Sequence, residues 1–363
     1  MSLVPPYIER LSPYTPGKPV EELERELGIK NAIKLASNES PLGPSPVAVA
    51  AVREHAAGAH RYLDAACFAL KQDLAAHHGI DPREIVLGNG SNEIIDLVCR
   101  TYASPSDHAV IGAPSFVCYQ LGLTAANVPF DAVPLRDHLH WDLDAMLDRV
   151  RPETRLLFIA NPNNPTGTHV GRAALERLLR ELPPWVLAVI DEAYVQFADA
   201  PDYASALELR ETRERLMVLR TFSKAYGLAA LRAGYAVARP EVVGYLDRTR
   251  PPFNVSTLAQ VAARAALSDP AHVERYVALN RTERGRVAAA LTELGLTVAP
   301  SQANFVFVDF RRPGQEVFDR LLRMGVIVRP MPPPVSSWLR ITIGLPEEND
   351  RLLGAVRELL ATP

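Results

Sequence analysis

The chain has 363 residues, 48% hydrophobic and 22% charged, which suits a folded protein of two or three domain-sized units and excludes one that is mainly disordered. Its formal charge of -3 offers no basic field for a nucleic-acid backbone or an anionic membrane surface. No apolar run approaches the roughly 20 residues that cross a bilayer, and the first residues, Met1-Ser-Leu-Val-Pro-Pro, lack a basic region followed by an apolar core, so cytoplasmic residence without nucleic-acid or membrane partners is expected.

The N-terminal arm is rich in proline (Pro5, Pro6, Pro13, Pro16, Pro19) and reads as extended, packed on the C-terminal part or on another subunit. Beyond it, short β-rich runs alternate with helical patterns, which predicts a parallel sheet covered by helices. Strands are predicted at 84–87, 108–111, 155–159, 186–190, 216–219 and 233–237. Their near-continuous apolar character marks burial on both faces. After Pro251-Pro252 the pattern changes to a long helical segment at 257–295, strands at 304–308, 325–328 and 338–343, and a last helix from 347. The expected organisation is α/β: residues 1–40 as arm and part of a small domain, 41–250 as a large cofactor-binding domain, and 251–363 as a smaller α+β domain.

Four predicted strands run directly into polar, chemically loaded sequence: Gly88-Asn-Gly-Ser-Asn92, Asn161-Pro-Asn-Asn-Pro-Thr-Gly167, Asp191-Glu-Ala-Tyr194 and Arg220-Thr-Phe-Ser-Lys224. Ligands of open α/β sheets bind at the carboxyl ends of strands, so one shared site is expected. Only five of the 39 basic residues are lysines, and Lys224 is the only one after Lys71. A primary amine loses its proton and condenses with a carbonyl where a guanidinium does not, so this lysine is a candidate nucleophile.

Gly88–Glu93 follows a strand and opens a helix, a place for a phosphate, but Glu93 stands where a dinucleotide fingerprint needs its third glycine. A small phosphate-bearing cofactor fits better. Asp191 ends an apolar strand and needs a positive partner, which a protonated pyridine nitrogen supplies. Tyr194 and Asn164 are placed to reach a ring oxygen, Thr221 and Arg232 to reach the phosphate, and Phe116 to stack on the ring. His138-Leu-His140 reads as two imidazoles on one strand face with no third ligand nearby, so no metal is expected. His77-His78 reads as a solvated helix end, Arg210–Arg215 as an exposed mixed-charge stretch, and Cys67, Cys99 and Cys118 as free thiols.

These motifs resemble the fold type I pyridoxal-phosphate enzymes of the aspartate-aminotransferase type. Leu11–Gly17, Lys34–Pro44, Arg61-Tyr62, Gly325–Pro330 and Leu339–Gly344 are similar to the histidinol-phosphate aminotransferase branch, and the likeness covers nearly the whole chain. It implies a mostly parallel seven-stranded sheet in the large domain, pyridoxal 5'-phosphate as cofactor, and Lys224 as the lysine that joins it and moves protons. It further implies Asp191 at the pyridine nitrogen, Asn164 and Tyr194 at the ring oxygen, Phe116 on the ring, and Ser91, Asn92, Thr221, Ser223 and Arg232 at the phosphate.

Tyr62 matches a residue that reaches the neighbouring subunit's phosphate, which implies a homodimer. Arg340 matches the arginine that grips the glutamate carboxylate, and Tyr14, Asn304 and Arg329 match positions on the substrate side. The implied reaction is transamination between histidinol phosphate and 2-oxoglutarate in histidine biosynthesis. The alternatives are an aminotransferase for aromatic amino acids or a phospho-amino-acid decarboxylase on the same scaffold. A non-catalytic cofactor-binding regulator is disfavoured by the retained Lys224. The loop Met331-Pro-Pro-Pro-Val-Ser-Ser-Trp338 departs from the family's glycine-bearing segment and is expected to border the substrate pocket.

Overall fold

A computed structural model describes residues 2–13, 20–62 and 64–361. After a short strand, Ile33–Lys34 (β1), seven strands build one sheet: Ile85–Asn89 (β2), His108–Ala113 (β3), Phe130–Pro134 (β4), Thr154–Ala160 (β5), Leu187–Asp191 (β6), Leu216–Thr221 (β7) and Ala233–Ala238 (β8). Their order is β2-β8-β7-β6-β5-β3-β4. Neighbours from β7 to β4 pair in parallel. Strand β8 runs antiparallel to both β2 and β7, so the other six point one way and their carboxyl ends share one edge. The sequence reading lacks β4, which is half-exposed, lies at the sheet edge and ends in proline. An edge position tolerates that proline and removes the continuous apolar signal of the central strands.

Alternation along the strands divides the core into two layers. Ile85 and Leu87 of β2, with Tyr235 and Val237 of β8, face Leu70, Leu74 and Ala263. Val86 and Ala236 face Ile94, Val98 and Leu246. Each such aliphatic side chain withdrawn from water contributes about 1.5–3 kcal/mol, so the helices on both faces are held chiefly by this burial.

The second unit is a four-stranded antiparallel sheet of Thr297–Val298 (β9), Phe305–Asp309 (β10), Arg329–Pro330 (β12) and Trp338–Thr342 (β13), in the order β12-β13-β10-β9. Val326–Ile327 (β11) leaves this sheet and pairs in parallel with β1. Leu35 joins the same apolar core as Val306, Leu339 and Val356, so the chain's N-terminal side does contribute to this unit. The predicted long helix at 257–295 is two, Thr257–Leu267 and Pro270–Glu293. Asp269 accepts from His272 N as N-cap, and Pro270 opens the second helix, a combination that starts a new helix. Thr257–Leu267 packs on Pro46–Ala56 and Phe68–His78 of the larger unit, so the expected boundary at 250/251 precedes a helix that packs with the large sheet.

Other local readings change. Part of the arm, Pro6–Glu9, is one helical turn against Val117–Ala125; Tyr14, Pro16 and Pro19 lie outside the described residues. His138 has φ 60 in a tight turn closed by the Arg136–His140 bridge, not a strand. His78 is half-buried and shares a 2.8 Å hydrogen bond with Tyr235 Oη; burial and Arg220 depress its imidazole to about 3. Arg213 is buried, with its guanidinium donating to carbonyls of Leu182, Pro183 and Val186, so this part of the stretch is not exposed.

Candidate active site

The carboxyl ends of β2, β6 and β7 open into a cavity of about 400 Å³. At the first, Gly90 caps the helix Ser91–Tyr102 with φ 77. A Cβ on Gly90 would lie 2.5 Å from Arg232 Nη2, and one on Gly234 of β8 would lie 2.3 Å from Ser91 N. Both glycines therefore keep the helix start, the guanidinium and the strand beneath in close approach. Ser91 and Asn92 line the cavity with Thr221, Ser223 and Arg232. Thr221 Oγ1 accepts from Ser223 N at 3.1 Å, and Arg232 Nη1 donates to Ser223 Oγ at 3.4 Å. Hydroxyls, a guanidinium and a helix N-terminus on one wall are the donors a phosphate requires.

Asp191 ends β6 and is 4% exposed. Burial raises its carboxyl to about 6, against the opposing hydrogen bonds from Tyr119 Oη at 2.8 Å and Ala193 N at 3.2 Å. No lysine or arginine forms an ion pair with it among the described residues. A buried carboxylate facing a cavity in this way fits a cationic ring nitrogen. Lys224 follows β7, and its amine donates to the Ser37 carbonyl at 3.1 Å. Burial, with help from Arg340, lowers that amine to about 8, while Glu39 acts in the opposite sense.

The motif Asn161–Gly167 divides its work. Asn161 exchanges hydrogen bonds with Val170, and Asn163 binds Ser115 and Pro114, so both are braces. Asn164 is the one asparagine of the motif that lines the cavity, beside Pro162, and its Oδ1 accepts from Arg340 Nη1 at 2.6 Å. Tyr194 Oη accepts from Asn38 Nδ2 at 2.9 Å, and Phe116 caps Val117–Ala125 at the cavity wall.

On the opposite side, Arg329 of β12 and Arg340 of β13 occupy directly paired register positions and both line the cavity. Arg340 also donates through Nη2 to the Ala36 carbonyl at 2.6 Å, and two guanidiniums on one wall are groups that an anion in the cavity could accept from. A second cavity of about 610 Å³ continues from Phe116, Asn164, Arg329 and Arg340 toward Arg10 and the prolines 332–334. Residues 331–335 of the 331–338 loop line this space.

Two expected residues stand apart. Asn304 is fully buried and absent from the cavity wall; its amide donates to the Asn38 carbonyl and Tyr276 Oη, so it supports the segment beneath the site. Tyr62 is 83% exposed and does not line its own chain's cavity. Conversely, the sequence reading passed over Tyr119, whose only signal was an aromatic three residues after Phe116. It also assigned nothing to Ser37, Asn38 and Glu39, which line the cavity from a stretch noticed only for its resemblance.

The chain matches the aminotransferase class I and II family over residues 30–356. It is 48% identical to the histidinol-phosphate aminotransferase of Anaeromyxobacter sp. over 99% of this chain and 100% of that one, and 46% identical to that of Moorella thermoacetica over 97% and 91%. The crystal structure of histidinol-phosphate aminotransferase from Sinorhizobium meliloti in complex with pyridoxal-5'-phosphate superposes with a TM-score of 0.91, 29% identity and coverage of 100% and 98%. The match spans most of the chain and the relatives align over nearly their full length, so the chain belongs to the class I and II aminotransferase family.

Proposed function

We propose that this protein is a pyridoxal-phosphate-dependent transaminase that exchanges an amino group between L-histidinol phosphate and 2-oxoglutarate, releasing imidazole acetol phosphate and L-glutamate, in histidine biosynthesis. The single observation that carries the substrate reading is the Arg329–Arg340 pair at opposed register positions on the cavity wall. The same pair serves a phosphate in one half-reaction and a carboxylate in the other, since both anions accept the planar guanidinium fork. Tyr14, which lies outside the described residues, joins the phosphate side of this reading, and Asn304 acts from beneath through Asn38.

The cofactor fits the residues present. Ser91, Asn92, Thr221, Ser223 and Arg232 hold its phosphate, Asp191 faces the ring nitrogen, Tyr194 and Asn164 face the ring oxygen, and Phe116 covers the ring. When bound, the cofactor supplies an aldehyde that takes up the amino group and a protonated ring that accepts the electron pair released at the substrate's α-carbon. Lys224, with its amine lowered to about 8, carries a usable base near neutral pH and would take up and return the proton of the substrate's α-carbon. Asp191, kept ionised by Tyr119 and Ala193 N, holds the ring's positive charge. Tyr62 completes the phosphate site of a second copy in a cytoplasmic homodimer.

The test mixes holoenzyme separately with histidinol phosphate, glutamate and phenylalanine and follows conversion of the cofactor to its amine by absorbance. Histidinol phosphate and glutamate are expected to convert it. Efficient conversion by phenylalanine with none by histidinol phosphate would overturn the substrate assignment and leave the cofactor assignment standing.

A further inference from the structure

Tyr62 and Phe253 stack on the surface, ring centroids 4.3 Å apart and planes 25° from parallel. Both are exposed, Tyr62 at 83% and Phe253 at 44%. Phe253 has φ 56, and it is the only Phe, Tyr or Trp with positive φ among the described residues. That conformation is costly for a bulky side chain and persists where neighbours over-determine it. They do so here. Arg250 Nη1 donates to the Ala65 carbonyl at 3.1 Å and to Asn254 Oδ1 at 2.7 Å. Asn254 Nδ2 donates to the Leu87 carbonyl at 3.2 Å and to Glu93 Oε2 at 2.6 Å, and the same Glu93 oxygen accepts from Asn89 N.

The segment 250–254 is thus clamped on one side to the loop that follows Tyr62 and on the other to the turn that opens the phosphate cradle. Tyr62 does not line its own chain's cavity, so this stacked pair lies outside the site that its own chain builds. We propose that Phe253 is a positioning residue that presents Tyr62 to the cofactor phosphate of a second copy, so that one clamped segment sets the cradle of its own site and the tyrosine of its neighbour's. This rests on the shared-site dimer reading above. Stacking fixes the phenol's direction before the copies meet, and less side-chain freedom is lost when its hydroxyl donates to the phosphate.

The experiment uses holoenzyme carrying Tyr62→Phe, Phe253→Ala, Phe253→Leu, Phe253→Tyr or Tyr62→Phe with Phe253→Ala. Cofactor dissociation constants come from equilibrium dialysis with pyridoxal 5'-phosphate, and the dimer fraction from light scattering at the same concentration. Loss of one hydrogen bond to a charged phosphate predicts about tenfold or more weakening in Tyr62→Phe. Phe253→Ala and Phe253→Leu are expected to weaken binding by a similar factor while remaining dimeric. Phe253→Tyr should restore it, and the double variant should be no weaker than Tyr62→Phe alone.

Multiplicative losses in the double variant, unchanged affinity in Phe253→Leu, or losses that track dimer dissociation would overturn the proposal. If Tyr62→Phe itself leaves affinity unchanged, the shared-site reading fails first, and that outcome is distinguishable from failure of Phe253 alone.

Discussion

Replacing Tyr119 by Phe removes the 2.8 Å hydrogen bond to Asp191 and keeps the ring in its stack on Phe158 and its edge contact with Phe116. A hydrogen bond to a charged group contributes about 1.5–3 kcal/mol, and about 1.4 kcal/mol corresponds to one pH unit. The Asp191 carboxyl, already raised by burial to about 6, is therefore expected to move upward by about one to two pH units. With a midpoint near about 7.5, roughly 3% of the variant is ionised at pH 6, against about half of the wild type. Ring-nitrogen binding requires the ionised form, so apparent cofactor affinity at that pH should fall roughly fifteenfold, and the two proteins should converge near pH 9. Titrating apo protein with pyridoxal 5'-phosphate from about pH 5.5 to 9 measures this, because the ratio of the two affinities cancels the cofactor's own titration. A ratio that stays flat with pH refutes the assignment of Tyr119 as the group that keeps Asp191 charged.

Three further outcomes are expected. Asp191 is an acid whose folded value, about 6, lies above its ordinary value of 3.8. Its contribution to stability is present below about 3.8 and lost as pH rises through about 6. Apo Asp191→Asn should accordingly be more stable than apo wild type at pH 7.5 by up to about 3 kcal/mol, with no difference near pH 3.5, as urea denaturation would read; the same variant should lose turnover. Lys224→Ala should abolish turnover while still binding cofactor through the phosphate cradle; retained turnover would remove Lys224 from its role. Glu192, 0% exposed, pairs with Arg220 at 2.7 Å and accepts from Ser205 Oγ and Ala206 N. Glu192→Leu leaves a buried guanidinium uncompensated and should cost about 3–5 kcal/mol in denaturation; a loss under about 1 kcal/mol would show that Arg220 finds other acceptors.

Much of this protein was legible in one dimension because parallel strands buried on both faces write unbroken apolar runs, and because their ends carry the reactive residues. Lys224, Asp191, Asn164 and the Gly88–Asn92 turn could be singled out this way, and the scarcity of lysine marked residue 224 independently. The readings that failed were those in which a local pattern has two tertiary outcomes. His138-Leu-His140 reads as a strand face, yet His138 sits at φ 60 in a tight turn closed by the Arg136–His140 bridge. Asn304 lies in a segment whose pattern predicts a strand but not which residue that strand supports. Edge strand β4 carries too little burial to leave a periodic mark.

By itself the sequence determined the positions of the central strands of the large sheet and the residue types at their ends, since these depend on residue type and short-range spacing. Only the tertiary structure decided that Arg329 stands opposite Arg340, that Tyr119 donates a hydrogen bond to Asp191, that Ile33 pairs with Val326, and that Tyr62 does not line its own chain's cavity. The first three pairings join residues from 11 to 293 positions apart. They are set by register and by the packing of one unit on another, and no periodicity within a single segment encodes either.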